Sequence, residues 1–353
     1  MGHLTALEFY SGIGGMHCAL KLAAPTASVL DAFDINHSAN QCYKHNFGKA
    51  PKQVDIEHMK AAQLDVYAAD LWLLAPPCQP FTRQGAQRGA QDNRSRSFLS
   101  LLEQIPAMSQ PPSYLLLENV VGFETSDMHR LLQQCLAAAG YYVAEFVLSP
   151  LQYGIPYSRP RYFCLASKQA LPAALPAAAQ PCQCTPSLLL QLQQQQAGLQ
   201  TLTAAAQQAM QSLSSHPQQV AAAVPDPLAG LWVPDEVLAK HAEVIDVVTG
   251  ASCSCNCFTK AYGRLARGAG SLLAAGDPAC SLAAAWRQLQ PRHFAPAEIA
   301  RMHSFPTSFT FPDAMTPRQC YKLLGNSLSV AVVADLLKYL LLSGSPAAGA
   351  AGA

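Results

Sequence analysis

Charged residues are scarce in this 353-residue chain: Asp, Glu, Lys and Arg make up 13% of it, against 50% hydrophobic residues. The two signs nearly cancel to a formal charge of +1, which excludes indiscriminate polyanion binding as a mode of action. No apolar signal segment opens the sequence, and no apolar run approaches membrane-spanning length, so neither secretion nor a membrane role is expected. Twelve cysteines in so long a chain then point to a reducing compartment instead of a disulfide scaffold. A cytoplasmic location with a nuclear pool is expected. The dinucleotide pattern G-x-G-x-x-G is also missing after the first strand, which disfavours a nicotinamide cofactor. Residues 169–224 are extreme: they contain no Asp, Glu, Lys or Arg, but 14 Gln and 14 Ala. Prolines 172, 176, 181 and 186 break the first third, and 187–213 has marginal helical character. The stretch reads as a mobile low-complexity insertion, and the Ala/Gly-rich tail 344–353 as disordered.

Against that background, Pro76-Pro77-Cys78-Gln79-Pro80 stands out. It follows the apolar run Leu71-Trp72-Leu73-Leu74-Ala75, which reads as a buried strand that prolines cannot extend. Cys78 therefore falls at the carboxyl end of a strand, where open α/β sheets place ligands and reactive groups. A thiol there is either a small buried hydrophobe or, if its surroundings lower its pKa, a nucleophile. Three further segments bear on the choice. Leu4–Phe9 reads as a strand, followed by the glycine turn Tyr10-Ser11-Gly12-Ile13-Gly14-Gly15 and a helix from Met16 to Leu22. Such a turn lets backbone approach a ligand at a helix amino terminus, or is an ordinary strand–helix turn. A second strand, Ser28–Phe33, ends at Asp34, 20 residues after Gly14, the offset at which an acid meets a ribose diol. Asp55 reads as a contact to an adenine amino group or as a helix cap. Tyr114-Leu115-Leu116-Leu117-Glu118-Asn119-Val120 delivers Glu118 to the same sheet rim as Cys78, where it reads either as a proton or hydrogen-bond donor in apolar surroundings or as a helix-capping or salt-bridged glutamate. Arg159 and Arg161 alternate on the way into a further strand, Tyr162-Phe163-Cys164-Leu165, and are placed to brace an anionic or carbonyl-bearing substrate.

In this order the segments resemble the S-adenosylmethionine-dependent cytosine-5 methyltransferases, from the Phe9–Gly15 turn through Asp34, Asp55, Pro77-Cys78-Gln79, Glu118-Asn119-Val120 and Arg159-x-Arg161 to Gly325-Asn326-Ser327. Within that family the tRNA-aspartate methyltransferase branch is the nearest match. Pro76-Pro77-Cys78-Gln79-Pro80-Phe81-Thr82-Arg83, Cys257-Phe258-Thr259-Lys260-x-Tyr262-Gly263-Arg264 and Tyr321-Lys322-Leu323-Leu324-Gly325-Asn326-Ser327-Leu328 are similar to its signatures. The likeness spans about residues 4–168 and 253–343. Val121 departs from the branch, whose members often carry lysine after Glu-Asn-Val, which weakens one expected phosphate contact.

The resemblance implies a mechanism and a site. Cys78 would add to carbon 6 of cytosine, Glu118 would bind ring nitrogen 3 and the exocyclic amine, and Arg161 would hold the carbonyl oxygen with Arg159 in support. S-adenosyl-L-methionine would be bound by Tyr10, Gly12, Ile13, Gly14, Gly15, Asp34, Ile35, Asp55, Ile56, Ala75, Pro77, Asn326 and Ser327. RNA would be held by Arg83, Arg94, Cys257, Phe258, Thr259, Lys260 and Arg264. Two local charge excesses fit such a partner: +3 over residues 83–96 and +4 over 257–303. The expected partner is tRNA, in particular the anticodon stem-loop of tRNA-aspartate at cytosine 38, with DNA a weaker one and the protein a monomer. A DNA methyltransferase with the same chemistry and a catalytically silent nucleic-acid-binding relative remain as alternatives. No metal is expected, because Cys253-x-Cys255-x-Cys257 and Cys182-x-Cys184 lack zinc-knuckle spacing. The expected architecture is a Rossmann-like α/β catalytic domain from 1–168 and 311–343. A target-recognition domain spans 225–310, and the helix from Ser327 to Leu342 packs on the sheet domain.

Overall fold

The structure, a computed structural model, describes residues 3–77, 93–172, 180–196, 231–241, 243–274 and 291–343. They divide into two compact units. The first comprises Met1–Leu148, Pro160–Gly198 and Val332–Ala353; the second comprises Ser149–Arg159 and Leu199–Ala331. The second unit therefore takes 149–159 and 311–331, which the sequence reading gave to the catalytic domain. The reason is long-range bonding around Arg159, described below, that no local pattern reveals.

The first unit is built on a six-stranded sheet. Its strands are β1 (Thr5–Phe9), β2 (Ser28–Phe33), β3 (Leu71–Leu74), β4 (Tyr114–Val120), β5 (Tyr142–Leu148) and β6 (Arg161–Ser167), in the order β2-β1-β3-β4-β6-β5. The pairs β1–β2, β1–β3 and β3–β4 are parallel, whereas β6 is antiparallel to both neighbours. All four residues of β3 are buried, as a strand covered on both faces requires. Phe9 stacks on Phe33 with ring centroids 5.1 Å apart and tilts against Trp72 at the same distance, which knits the three parallel strands together. Helices α1 (Gly15–Ala23), α2 (His37–Phe47), α3 (Ala61–Asp65), α4 (Asn93–Gln104) and α5 (Asp127–Ala138) fill the connections. Asn36 caps α2 by accepting from Ala39 N, and Gly48 ends it at a positive φ of 77°.

The Gln/Ala-rich insertion is in part docked, a correction to its reading as mobile. Cys182 extends the free edge of β5: its N–H donates to Glu145 O at 2.8 Å and its carbonyl accepts from Val147 N at 2.9 Å. An edge strand offers unpaired backbone groups, and this segment satisfies two of them. Helix α6 (Pro186–Gln196) follows, and Ser187 N donates to Asp335 at 3.3 Å. Residues 173–179, 197–230 and 344–353 lie outside the described residues.

In the second unit, α7 (Asp235–His241), the two-residue strands β7 (Val247–Val248) and β8 (Leu272–Leu273) and α8 (Pro296–Met302) precede α9 (Pro317–Gly325). Thr316 caps α9 in a capping box with Gln319. The expected single helix from Ser327 is preceded by a break, and α10 runs Val330–Leu341. Its residues from Val332 onward group with the first unit, where Tyr339 meets Phe146 edge-on at 5.9 Å. Together Pro317–Leu341 is long and apolar enough to cross a membrane by length and composition, against the sequence expectation, but 67% of its most apolar window is buried inside the protein. That burial marks a core helix. Among the ten described cysteines there is no disulfide.

Candidate active site

The glycine turn joins β1 to α1. Tyr10, Gly12 and Gly14 have φ of 59°, 53° and 85°, a run of left-handed residues that few sequences adopt without glycine. A Cβ on Gly14 would come within 2.2 Å of the Phe47 ring, so packing as well as φ excludes a side chain there. A Cβ on Gly12 would meet nothing within 4 Å, so the turn presents open backbone at that point. Asp34 closes the turn from the end of β2: its carboxylate accepts from Gly12 N and Asn36 N at 2.8 and 2.7 Å. Burial raises the Asp34 pKa, and those two amides offset part of the rise. Ile35 beside it is 71% exposed, an apolar side chain left uncovered next to a polar turn. The Tyr10 hydroxyl donates to Ser97 Oγ at 3.1 Å. Of the other cofactor candidates, Ile13 and Ile56 are core residues, 2% and 4% exposed, and offer a ligand little beyond backbone. Asp55 is the helix cap of its alternative reading, accepting from Glu57 N at 3.0 Å and meeting His58 Nδ1 at 3.0 Å.

Beneath the turn lies a buried acid that the sequence reading passed over. Glu8, 1% exposed on β1, accepts from the Tyr43 hydroxyl at 3.0 Å and from His17 N at 3.3 Å. Burial raises its pKa from 4.5 to about 8. Burial likewise lowers His17, to about 4. Because the fold favours the neutral carboxyl, this part of the stability is full below pH 4.5 and is lost as pH rises through about 8. Glu8→Gln, neutral at every pH, should melt close to wild type at pH 5 and gain on it up to pH 8, by about 1.4 kcal/mol per unit. Thermal melts showing a pH-independent gap would refute the neutral carboxyl.

Of the candidate catalytic residues, Glu118 lies near the carboxyl end of β4, beside the exit of β3. Leu74 sits beside Leu117 in register, so Ala75, Pro76 and Pro77 leave the sheet next to Glu118 and Asn119. Ala75 N donates to Phe9 O at 3.3 Å, and buried Asn119 donates to Pro76 O at 3.5 Å, steadying the start of the loop. Cys78 and Arg83 lie outside the described residues, and so does the side chain of Arg94. Glu118 and Arg161 are brought together: Arg161 Nε lies 3.3 Å from Glu118 Oε1, with the side chains 17% and 12% exposed. They are diagonal neighbours across the β4–β6 pair, where Val120 faces Arg161 and Glu118 faces Phe163. A carboxylate braced by a guanidinium, beside a strand end leading to a cysteine, suits a planar heterocycle with one ring nitrogen and one carbonyl to be held.

Arg159 does not share that role, a correction to the reading of two parallel arginines. It is 3% exposed within the second unit, and its Nη1 donates to Cys257 Sγ at 3.2 Å. Its Nη2 donates to Gly325 O at 3.1 Å and to Ser327 O. Arg159 thus ties the Cys-Phe-Thr segment to the Gly-Asn-Ser segment, which Gly325 allows to approach: a Cβ there would fall 2.2 Å from Lys260 N. Asn326 is exposed at the end of α9 and Ser327 half-buried. The RNA set also needs correction. Phe258 is 1% exposed, packed on Tyr157, Tyr262 and Phe294, so it serves the interior, whereas Cys257 is half-buried with its sulfur accepting from Arg159. Thr259 is half-buried, its N–H donating to Ala269 O, while Lys260, Arg264 and Arg267 are exposed on the same turn. Arg292 is held by Glu298 through two 2.8 Å contacts and adds little free charge. No group of three His, Cys, Asp or Glu is placed to hold a metal among the described residues.

A family model described as C-5 cytosine-specific DNA methylase matches residues 4–228 and 254–341. The tRNA (cytosine(38)-C(5))-methyltransferase of Mus musculus is 34% identical over 389 aligned residues, covering 96% of this chain and 94% of that protein. A DNA (cytosine-5)-methyltransferase of Dictyostelium discoideum is 34% identical across 97% of this chain and 95% of its own. The crystal structure of the S. pombe Dnmt2 methyltransferase matches with a TM-score of 0.76 at 34% identity, covering 96% of this chain and 98% of that one.

Proposed function

The chain belongs to the C-5 cytosine-specific methylase family, and from that membership we propose that it methylates carbon 5 of cytosine in tRNA, at cytosine 38 in the anticodon loop of tRNA-aspartate. The observation that carries the reading is the Glu118–Arg161 pair across the end of β4 and the start of β6, next to β3, whose exit leads into Pro76-Pro77. A base in a single-stranded loop can be splayed into such a site at little cost, whereas a duplex base must first be unstacked.

The open backbone at Gly12, the Asp34 carboxylate and the uncovered Ile35 fit a nucleoside-bearing cofactor. Tyr10 to Gly15, Asp34 and Ile35 would hold S-adenosyl-L-methionine. Bound there, it supplies an electrophilic methyl group. Carbon 5 of cytosine is too weak a nucleophile to take that group unaided. The Cys78 thiolate bonds to carbon 6, and the electron pair displaced from the 5,6 double bond makes carbon 5 nucleophilic. Glu118 holds ring nitrogen 3 and the exocyclic amine, relieving the charge that develops there, and Arg161 holds the carbonyl oxygen. After methylation, loss of the carbon-5 proton to solvent restores the double bond and expels Cys78 as the thiolate, so the enzyme returns unchanged.

Exposed Lys260 and Arg264 contact tRNA phosphates in this reading, not bases. Replacing both with alanine should raise KM for tRNA-aspartate and reduce its salt dependence by about two phosphate contacts, with KM for the cofactor hardly moved. Normal kinetics at every salt concentration would make them an ordinary solvated face. The direct test of the function is labelled-methyl transfer to total tRNA and to duplex DNA side by side. Preference for duplex DNA would favour the activity named for the Dictyostelium relative. The protein is proposed to work as a cytoplasmic monomer with a nuclear pool; sedimentation and localisation of a tagged chain test this.

A further inference from the structure

The engagement of Arg159 extends to two residues that neither motif contains. Its Nη1 also donates to the Tyr157 hydroxyl at 3.4 Å. That hydroxyl lies 2.9 Å from His303 Nε2, and His303 Nδ1 lies 3.1 Å from the Leu328 carbonyl. Both residues are 0% exposed, so neither touches a substrate. The polarity of the chain follows from its last member. A carbonyl only accepts, so Nδ1 carries a proton, and full burial beside the Arg159–Tyr157 contact disfavours a second, charged proton on the ring, leaving Nε2 an acceptor. Tyr157 then donates to His303, which leaves its oxygen to accept from Arg159. The backbone repeats the link, since Val330 N donates to His303 O at 2.8 Å. The tyrosine ring is held independently of its hydroxyl, stacked on Phe258 at 5.5 Å and tilted on His303 at 4.9 Å.

We propose that Tyr157 and His303 are positioning residues for methyl transfer: they orient the Arg159 guanidinium, which holds Gly325 and Ser327 of the closing motif in working conformation. The proposal rests on the methyltransferase reading above. A guanidinium donates from a rigid fork, so its orientation decides where both carbonyls sit. Without the hydroxyl the fork can turn, and a displacement of about 1 Å in a positioning group lowers turnover more than binding.

The experiment measures steady-state methyl transfer to tRNA with the full-length protein. Tyr157→Phe keeps the ring and removes only the hydroxyl. Its kcat should fall about tenfold, with KM for tRNA and for S-adenosylmethionine within about twofold and the melting temperature nearly unchanged. His303→Gln, which retains an acceptor for the tyrosine, should keep kcat within about threefold of wild type, whereas His303→Leu should fall as far as Tyr157→Phe. A folded Tyr157→Phe enzyme with wild-type kcat overturns the proposal. So does a loss that merely follows the folded fraction, which would make the network structural. A wild type that methylates no tRNA overturns the functional reading itself, and differs visibly because the variants then have no rate from which to fall.

Discussion

Cys78→Ala should abolish methyl transfer to tRNA while leaving the fold and cofactor affinity almost unchanged. The expectation is an all-or-none loss because the proposed mechanism takes the bond to carbon 6 from the Cys78 thiolate. Without that bond carbon 5 stays unactivated, however well Glu118 and Arg161 hold the ring. Stability should change little, since β3 is complete at Leu74 and its buried Trp72 packs on Phe9. The assay is labelled-methyl transfer, with calorimetry for the cofactor and a thermal melt for the fold. The same chemistry predicts a stable covalent complex between the wild-type enzyme and RNA carrying 5-fluorocytosine, because fluorine blocks the proton loss that releases the thiol. Residual turnover above about one-thousandth of wild type would mean that the methyl group reaches its target without covalent activation.

The parts of the molecule that could be read in advance are those encoded locally. Four strands, β1 to β4, are apolar runs bounded by glycine, proline or acid, and they lie within a residue of the positions their patterns indicate. Asp34 falls beside the glycine turn, as its spacing from Gly14 implies, and Glu118 falls beside the exit of β3. What escaped was set by distant partners. The antiparallel course of β6 shows in no local pattern, and it is what brings Arg161 diagonally onto Glu118. Arg159 looked equivalent to Arg161 because alternate residues of a strand share a face. It precedes the strand instead, and Cys257, Gly325 and Ser327 capture it from 98 to 168 residues away. Phe258 sits in a motif beside basic residues, so it reads as an RNA contact; three aromatic neighbours instead bury it. Glu8 carried no signal, since one acid in an apolar strand reads equally well as an edge residue. Its burial depends on Tyr43 and on the first turn of α1.

Glu118 and Arg161 form a pair, and that coupling yields the second large effect. Glu118→Gln preserves the shape and keeps a hydrogen bond to the base, but it removes the charge that opposes Arg161 and the proton that the carboxyl can share with ring nitrogen 3. A fall in kcat of roughly 10²-fold is expected, with KM for tRNA little changed, because general acid–base assistance acts in the transition state. Glu118→Ala should fall further, as it leaves the Arg161 guanidinium, 17% exposed, with the Pro160 carbonyl as its remaining close contact among the described residues. An unopposed, largely buried cation also costs stability, on the order of 1–3 kcal/mol, so the alanine variant should melt lower than the glutamine one. Arg161→Ala should show a similar loss of turnover through the unheld carbonyl. Since each residue braces the other, the double alanine variant should lose less than the product of the two single losses. Independent losses that multiply would mean that the 3.3 Å contact contributes nothing to catalysis and that the two side chains meet the base separately.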